Sequence, residues 1–185
     1  NTLVPACFPR LDKIDDVSVT MQYVPTNSLA YWFLWQPISK QNKAYIIEQL
    51  WQWISTNFYQ HVPASQSGLL AETEYMYGER VIRRVEDWRI QLSLAEQHDL
   101  FQENININGT RLLGWKVLKD QILVRARQLA LGAVVRHIHG DLHCANILYD
   151  PERHTFTCLD PRGAWGNQQS IWGDIRYDAA KFLHS

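Results

Sequence analysis

Between Ala133 and Asp160 the chain passes from helical periodicity into a dense polar run and then into two short β-prone segments. That succession constrains the fold more than any other feature. The polar run is His137-Ile138-His139-Gly140-Asp141-Leu142-His143-Cys144-Ala145-Asn146. Asn146–Tyr149 and Thr155–Leu159 follow as strand-like runs, joined by Asp150-Pro151-Glu152-Arg153-His154. A Pro directly after an Asp is a strong turn signal, so the pair reads as a β-hairpin. The polar run is then a loop held by rigid elements on both sides, which is where chemistry is commonly placed.

The rest of the chain is mostly helical in pattern. Val17–Val24 has the near alternation of β-branched and aromatic residues expected of a strand and ends at Pro25. Ser28 is placed to cap a helix from Leu29. From Gln41 to Tyr59, Ile47, Leu50, Trp51, Ile54 and Phe58 form one helical stripe. Pro63–Gly68 reads as a loop. Val81, Val85, Trp88 and Leu92 form a second stripe, and Trp115, Leu118, Ile122 and Leu129 a third. The charged run Glu79–Arg89 reads as a solvated helix face. Asn104–Gly109 is turn-like, and Ala179–Ser185 looks like the opening of a further helix. The expected class is α+β, mainly α, with Trp51, Trp88 and Trp115 in the core.

Composition narrows the function. Hydrophobic residues make up 46% of the 185 and charged residues 20%, a globular balance. Eighteen Lys and Arg against nineteen Asp and Glu leave a net charge of −1, with no basic reservoir for nucleic acid. No apolar run approaches the roughly 20 residues of a membrane span. Cys7, Cys144 and Cys158 are odd in number and lack C-x-x-C spacing, which excludes a disulfide framework and a thiolate zinc site. No signal peptide is visible, so a cytoplasmic location is expected, with neither nucleic acid nor membrane insertion among its partners.

A hairpin folds back on itself, so Asn146 at one end and Asp160 at the other are expected to meet. Two oxygen-bearing side chains there suit Mg²⁺, which relies on waters and substrate phosphates for its other ligands. Asp141, on the adjoining loop, is placed to face a substrate hydroxyl, and the set describes phosphoryl transfer. A competing pattern is His137-x-His139-x-Asp141-x-His143. It nearly reproduces the H-x-H-x-D-H zinc run of metallo-β-lactamase-like hydrolases, but the last spacing is off by one residue and no later histidine motif completes the site.

His139–Leu148 (H-G-D-L-H-C-A-N-I-L), followed by L-D-P at Leu159–Pro161, resembles the catalytic and metal-binding segments of the protein-kinase-like fold. The H-G-D form is that of the aminoglycoside phosphotransferase and choline kinase branch. G-D-I-R-Y-D-A-A-K at Gly173–Lys181 resembles that branch's G-D-x-x-Y-D-x-A segment, and Met21-Gln22-Tyr23-Val24-Pro25 resembles the hinge between the two lobes. The four landmarks occur in family order from Met21 to Lys181. The resemblance implies that Asp141 is the catalytic base and that Asn146 and Asp160 hold Mg²⁺ against ATP. It implies that the carbonyl of Gln22 and amide of Val24 bind the adenine edge, with Met21 behind the base and Leu148 as floor. His139 would brace the loop, and Asp178 would tie its backbone from behind. Trp165, Trp172 and Tyr177 fall where the family builds its acceptor site, as a cage for a cation or as ordinary packing.

What the resemblance implies overall is the helical C-terminal lobe of a small-molecule phosphotransferase. Residues 1–24 would be a remnant of the N-terminal lobe with the hinge strand, and 25–185 the catalytic lobe. No Gly-rich hairpin or phosphate-binding Lys precedes the hinge and the chain does not begin with Met, so a fragment lacking most of that lobe is expected. The absence of an A-P-E segment favours a small-molecule hydroxyl as acceptor. D-P-R-G with G-D-x-R-Y-D-x-A-K-x-x-H-S is also similar to bacterial proteins associated with surface-polysaccharide synthesis, which points to a sugar or sugar alcohol first and an amino-alcohol second. Arg162 is left to meet either a phosphate or an acid. A non-catalytic kinase-like module that binds nucleotide or a partner is the alternative.

Overall fold

A computed structural model describes residues 7–185, so the first six residues of the expected 1–24 remnant lie outside it. The chain is α+β and divides into two units. One comprises the described residues up to Ala64 with Val134–Ala164 and Gln169–Ser185. The other comprises Ser65–Ala133 with Trp165–Gln168.

The first unit begins with an antiparallel hairpin, β1 (Leu11–Ile14) and β2 (Val19–Met21), with Leu11 opposite Met21 and Ile14 opposite Val19. The sequence predicts one longer, lone strand over 17–24. The partner went unread because its turn is built by a side chain: Asp15 Oδ1 accepts the amides of Val17 (3.0 Å) and Ser18 (2.8 Å), an Asx-type turn. Short β3 (Asn27–Ser28) leads into α1 (Leu29–Trp35), where Ser28 Oγ accepts the Tyr31 amide as the expected cap. Ser39 likewise caps α2 (Lys40–Ile54), which runs on into a π-helical turn, Ser55–Tyr59. Its buried face is Ile46, Leu50, Ile54 and Phe58, with Ile47 and Trp51 packed at the edge of the core.

The expected hairpin is present as β7 (Ile147–Asp150) and β8 (Thr155–Cys158), with Ile147 opposite Cys158 and Asp150 opposite Thr155. β3 extends it to the order β3-β7-β8. Ile147 and Tyr149 are buried with Phe156 and Cys158 against Leu50, Phe58 and Leu142, whereas Leu148 lies on the outer face, following the period-two alternation of a strand. β6 (Val135–His137) pairs antiparallel with β11 (Trp172–Asp174), and α7 (Ile175–Leu183) follows at once, capped by Asp174. The helix thus begins four residues before the predicted Ala179.

The second unit holds α3 (Leu69–Tyr77), α4 (Glu79–Arg89), α5 (Leu94–Leu100), β4 (Asn104–Ile107), β5 (Thr110–Leu113) and α6 (Trp115–Leu131). Ala126 and Ala130 are the buried positions of α6, and a Cβ at Gly78, after α3, would lie 2.9 Å from that of Ala126. Small residues let these two segments approach closely. Two expectations need correcting. Asn104–Gly109 is more than a turn: Asn108 and Gly109, both with positive φ, close a β4–β5 hairpin. Trp88 is not core but 48% exposed, on a helix with no buried residue, its ring beside that of Phe101. No residue of Glu79–Arg89 is fully buried, though Ile82, Val85 and Glu86 are half-buried, so the helix has a solvated face as expected. Trp165 of the short β9 (Ala164–Trp165), which pairs with β10 (Gln168–Gln169), is fully buried and donates to Thr73 Oγ1 at 3.0 Å. Trp165 is therefore core and takes no part in an exposed aromatic cage. Among the described residues no helix is long and apolar enough to cross a membrane.

Candidate active site

The loop between β6 and β7 is fixed from several directions. Asp178, in the first turn of α7 and fully buried, accepts the His139 amide at 2.9 Å on one oxygen and the Gly140 amide at 2.8 Å on the other. Burial pushes its carboxyl up to about 6, against these two amides and the Tyr59 hydroxyl, which favour the charged form. The expected tie from behind is thus present at the level of atoms. Removing it leaves two buried amides without acceptors, each costing about 1–3 kcal/mol. Asp178→Ala is therefore expected to lower unfolding stability by about 2–5 kcal/mol, read from the urea midpoint; a loss below about 1 kcal/mol would contradict the assignment.

His139 is the inner brace. Its Nε2 donates to the Leu159 carbonyl at 2.8 Å and its Nδ1 accepts the Asp141 amide at 3.2 Å, which fixes a neutral tautomer. Burial holds this imidazole down at about 4. Gly140 has φ +79°, and a Cβ there would lie 2.7 Å from that of Arg162, so the middle residue of H-G-D has a steric reason to be glycine. Arg162 pairs with no acid among the described residues. Its amide donates to the His139 carbonyl at 2.9 Å, and its guanidinium donates to the Tyr177 hydroxyl at 2.9 Å while lying over that ring.

Asp141 follows on a partly exposed stretch. Its Oδ1 is 2.7 Å from Lys181 Nζ, and its Oδ2 is 3.8 Å from His143 Nε2, too far for a hydrogen bond. Partial burial raises its carboxyl, but Lys181, aided by His143 and His139, outweighs this and holds it below the ordinary carboxylate value. Asn146 closes a single 3₁₀ turn, Cys144–Asn146, and its side-chain amide donates to the Asp141 carbonyl at 3.1 Å. The Asn146 carbonyl in turn accepts the Leu159 amide at 2.8 Å. The hairpin therefore brings Asn146 beside the residue that precedes Asp160, as its register requires. Asp160 leaves the ladder with φ +51°, a left-handed conformation that Asp tolerates better than most residues. Its exposed carboxylate and the Asn146 side-chain oxygen make no hydrogen bond or ion pair among the described residues.

The hinge-like residues divide between two clefts. Met21 and Asp160 line one of about 430 Å³, with Phe8, Leu11, Leu159 and Pro161. Val24 and Leu148 line another of about 500 Å³, with Trp32, Asp150, Thr155 and Thr157. Gln22 is tied to Arg10, the residue before β1, through its amide and side chain. Its carbonyl and the Val24 amide make no hydrogen bond among the described residues.

The alternating histidines do not form a ligand set with Asp141, although His143 Nε2 stands 3.8 Å from its carboxylate. His137 is buried at 2% exposure, stacked on Phe58 and edge-on to Trp172, and both nitrogens of His139 are committed to the backbone. Among the described residues no group of three His, Cys, Asp or Glu side chains is placed to hold a metal ion. Lys181 is the site residue that motif reading passed over. Its signal was present in the sequence: Tyr177, Asp178 and Lys181 at i, i+1 and i+4 fall on one helical face. Comparison with family models, with curated proteins and with solved structures gives no match.

Proposed function

We propose that the chain is the catalytic, mainly helical lobe of a protein-kinase-like phosphotransferase, of the aminoglycoside phosphotransferase and choline kinase type. It would transfer the γ-phosphoryl group of ATP to a hydroxyl of a small molecule. The observation that carries this reading is Asn146, which bonds through its side chain to the Asp141 loop and through its carbonyl to the strand end before Asp160. One residue thereby couples a proton acceptor to a pair of oxygen donors.

The donors fit Mg²⁺. An unpaired carboxylate and an amide oxygen are hard ligands, and two protein ligands leave room for water and phosphate, as Mg²⁺ prefers. Asp160 and Asn146 would hold the ion, which when bound neutralises charge on the phosphate oxygens. Asp141 would accept the acceptor hydroxyl's proton on Oδ2. The acceptor oxygen then bonds to the γ-phosphorus as the bond from that phosphorus to the β–γ bridging oxygen breaks, and the bonding pair leaves with ADP. The Gln22 carbonyl and the Val24 amide would meet an adenine edge, with Leu148, which shares a cleft with Val24, as its floor, whereas Met21 lines the separate cleft of Asp160. A sugar or sugar alcohol is the first acceptor class to test and an amino-alcohol the second. An ATP-dependent reaction and three free thiols suit a reducing, cytoplasmic setting.

Calorimetric titration with Mg·ATP tests the site. Asp160→Asn removes the only charged donor, worth about 2 kcal/mol, so affinity is expected to fall about thirtyfold. ATP without Mg²⁺ should bind both proteins alike. Equal Mg·ATP affinity in the two, or none in the wild type, would defeat the reading.

A further inference from the structure

We propose that Lys181 is a positioning residue that holds one oxygen of the Asp141 carboxylate, so that the other is presented to the acceptor hydroxyl. The inference rests on the phosphotransfer reading and adds a residue to it. Its basis is the face that α7 turns toward the loop. Asp178 fixes the amides of His139 and Gly140, Tyr177 fixes Arg162, and Lys181, one turn on from Tyr177, reaches Asp141. The helix thus holds three consecutive loop residues, two by the backbone and the third by its side chain.

Magnitudes separate this role from a stabilising one. The side chains of Lys181 and Asp141 are 31% and 39% exposed, and pairs so open to water contribute about 0–1 kcal/mol to stability. Geometry is where the pair acts. A carboxylate turns about two side-chain bonds, and a displacement of about 1 Å at a reacting group costs on the order of a hundredfold in rate. Lys181 takes Oδ1, while Oδ2 has no hydrogen bond among the described residues and His143 Nε2 stands 3.8 Å away. The other titratable groups that act on the carboxylate are His139 and Asp178, and both belong to the loop's frame.

Two measurements test the proposal. The first needs no turnover: the ¹⁵N ammonium resonance of Lys181, recorded cold in the whole protein, should shift and broaden in Asp141→Asn as the ammonium loses its partner. An unchanged resonance would overturn the proposal whatever the protein catalyses. The second is kinetic. Lys181→Met should lower kcat about 10- to 100-fold with KM for ATP within about twofold, Lys181→Arg should recover most of the loss, and Lys181→Met should have no further effect on top of Asp141→Asn. A change confined to KM, or additive losses in the double variant, would show Lys181 acting on the nucleotide instead and overturn the role. A wild type that binds Mg·ATP and transfers phosphoryl to no acceptor overturns the parent reading, and the inference with it, while the resonance still reports the pair.

Discussion

Asp141→Asn is expected to cut acceptor-dependent ADP formation by about 10²–10⁴-fold, the usual contribution of a positioned general base. The substitution keeps the shape of the side chain and removes its capacity to take a proton. Mg·ATP affinity should stay within about twofold, because Asp141 contributes its backbone, not its carboxylate, to the Asn146 side of the site. Stability should change by less than about 1 kcal/mol, since the Lys181 pair is open to water. The rate is read with a coupled ADP assay over a panel of sugars, polyols and amino-alcohols, and the affinity by calorimetry. Turnover at the wild-type level would remove Asp141 from the chemistry. A parallel loss of nucleotide binding would make it a ligand-site residue instead.

The second large effect is acid lability. His137 and His139 are held neutral by burial, each down from the usual 6.5 to about 4. Unfolding frees both to bind protons below about 6.5, so each lowers stability as pH falls from there toward 4. Asp178 acts in the opposite sense. Its carboxyl is up at about 6, so from about 4 to 6 the folded state holds a proton that the unfolded state does not, and that stabilisation is lost as pH rises. Two protons taken up on unfolding against one released leave a net uptake of about one across this range, since the unfolded histidines are only half protonated at pH 6.5. At about 1.4 kcal/mol per proton and pH unit, the protein should lose on the order of 3 kcal/mol between pH 6.5 and 4. That is a large share of the 5–15 kcal/mol typical of a domain. Urea midpoints at a series of pH values measure it, and stability that stays level or improves toward pH 4 would contradict it. His137→Phe should flatten the slope without loss at pH 7, since the ring stacks on Phe58 and its Nδ1 has no hydrogen-bond partner.

The β7–β8 hairpin was legible in the sequence because its information is local. Asp150-Pro151 sets the turn, alternation sets the faces of Ile147 to Tyr149, and the hairpin then decides where Asn146 and Asp160 go. The β1–β2 hairpin was half legible, since its turn depends on the Asp15 side chain rather than on glycine or proline. Asn108-Gly109 did carry a hairpin signal, but the polar strands beside it have no buried face to advertise them. Trp88 misled because periodicity reports that residues share a face and not that anything covers it. The face of α7 that carries Lys181 was legible, but the partners of Lys181 and Arg162 were not: Asp141 and Tyr177 are distant in sequence and meet them only after β6, β11 and α7 have assembled.

The grip of Asp178 on the loop also sets a temporal order. The amides it accepts lie 38 and 39 residues upstream, so during synthesis the loop emerges well before the helix that shapes it. Until α7 docks, the His139 and Gly140 amides have only water as partner, and Asp141 has no defined direction. Closing so long an interval is slow compared with forming the local β7–β8 hairpin. Asn146 and the strand end before Asp160 are thus in place early and the Asp141 carboxylate late. On the phosphotransfer reading proposed above, a newly made chain would pass through a stage in which it holds nucleotide before it is able to use it.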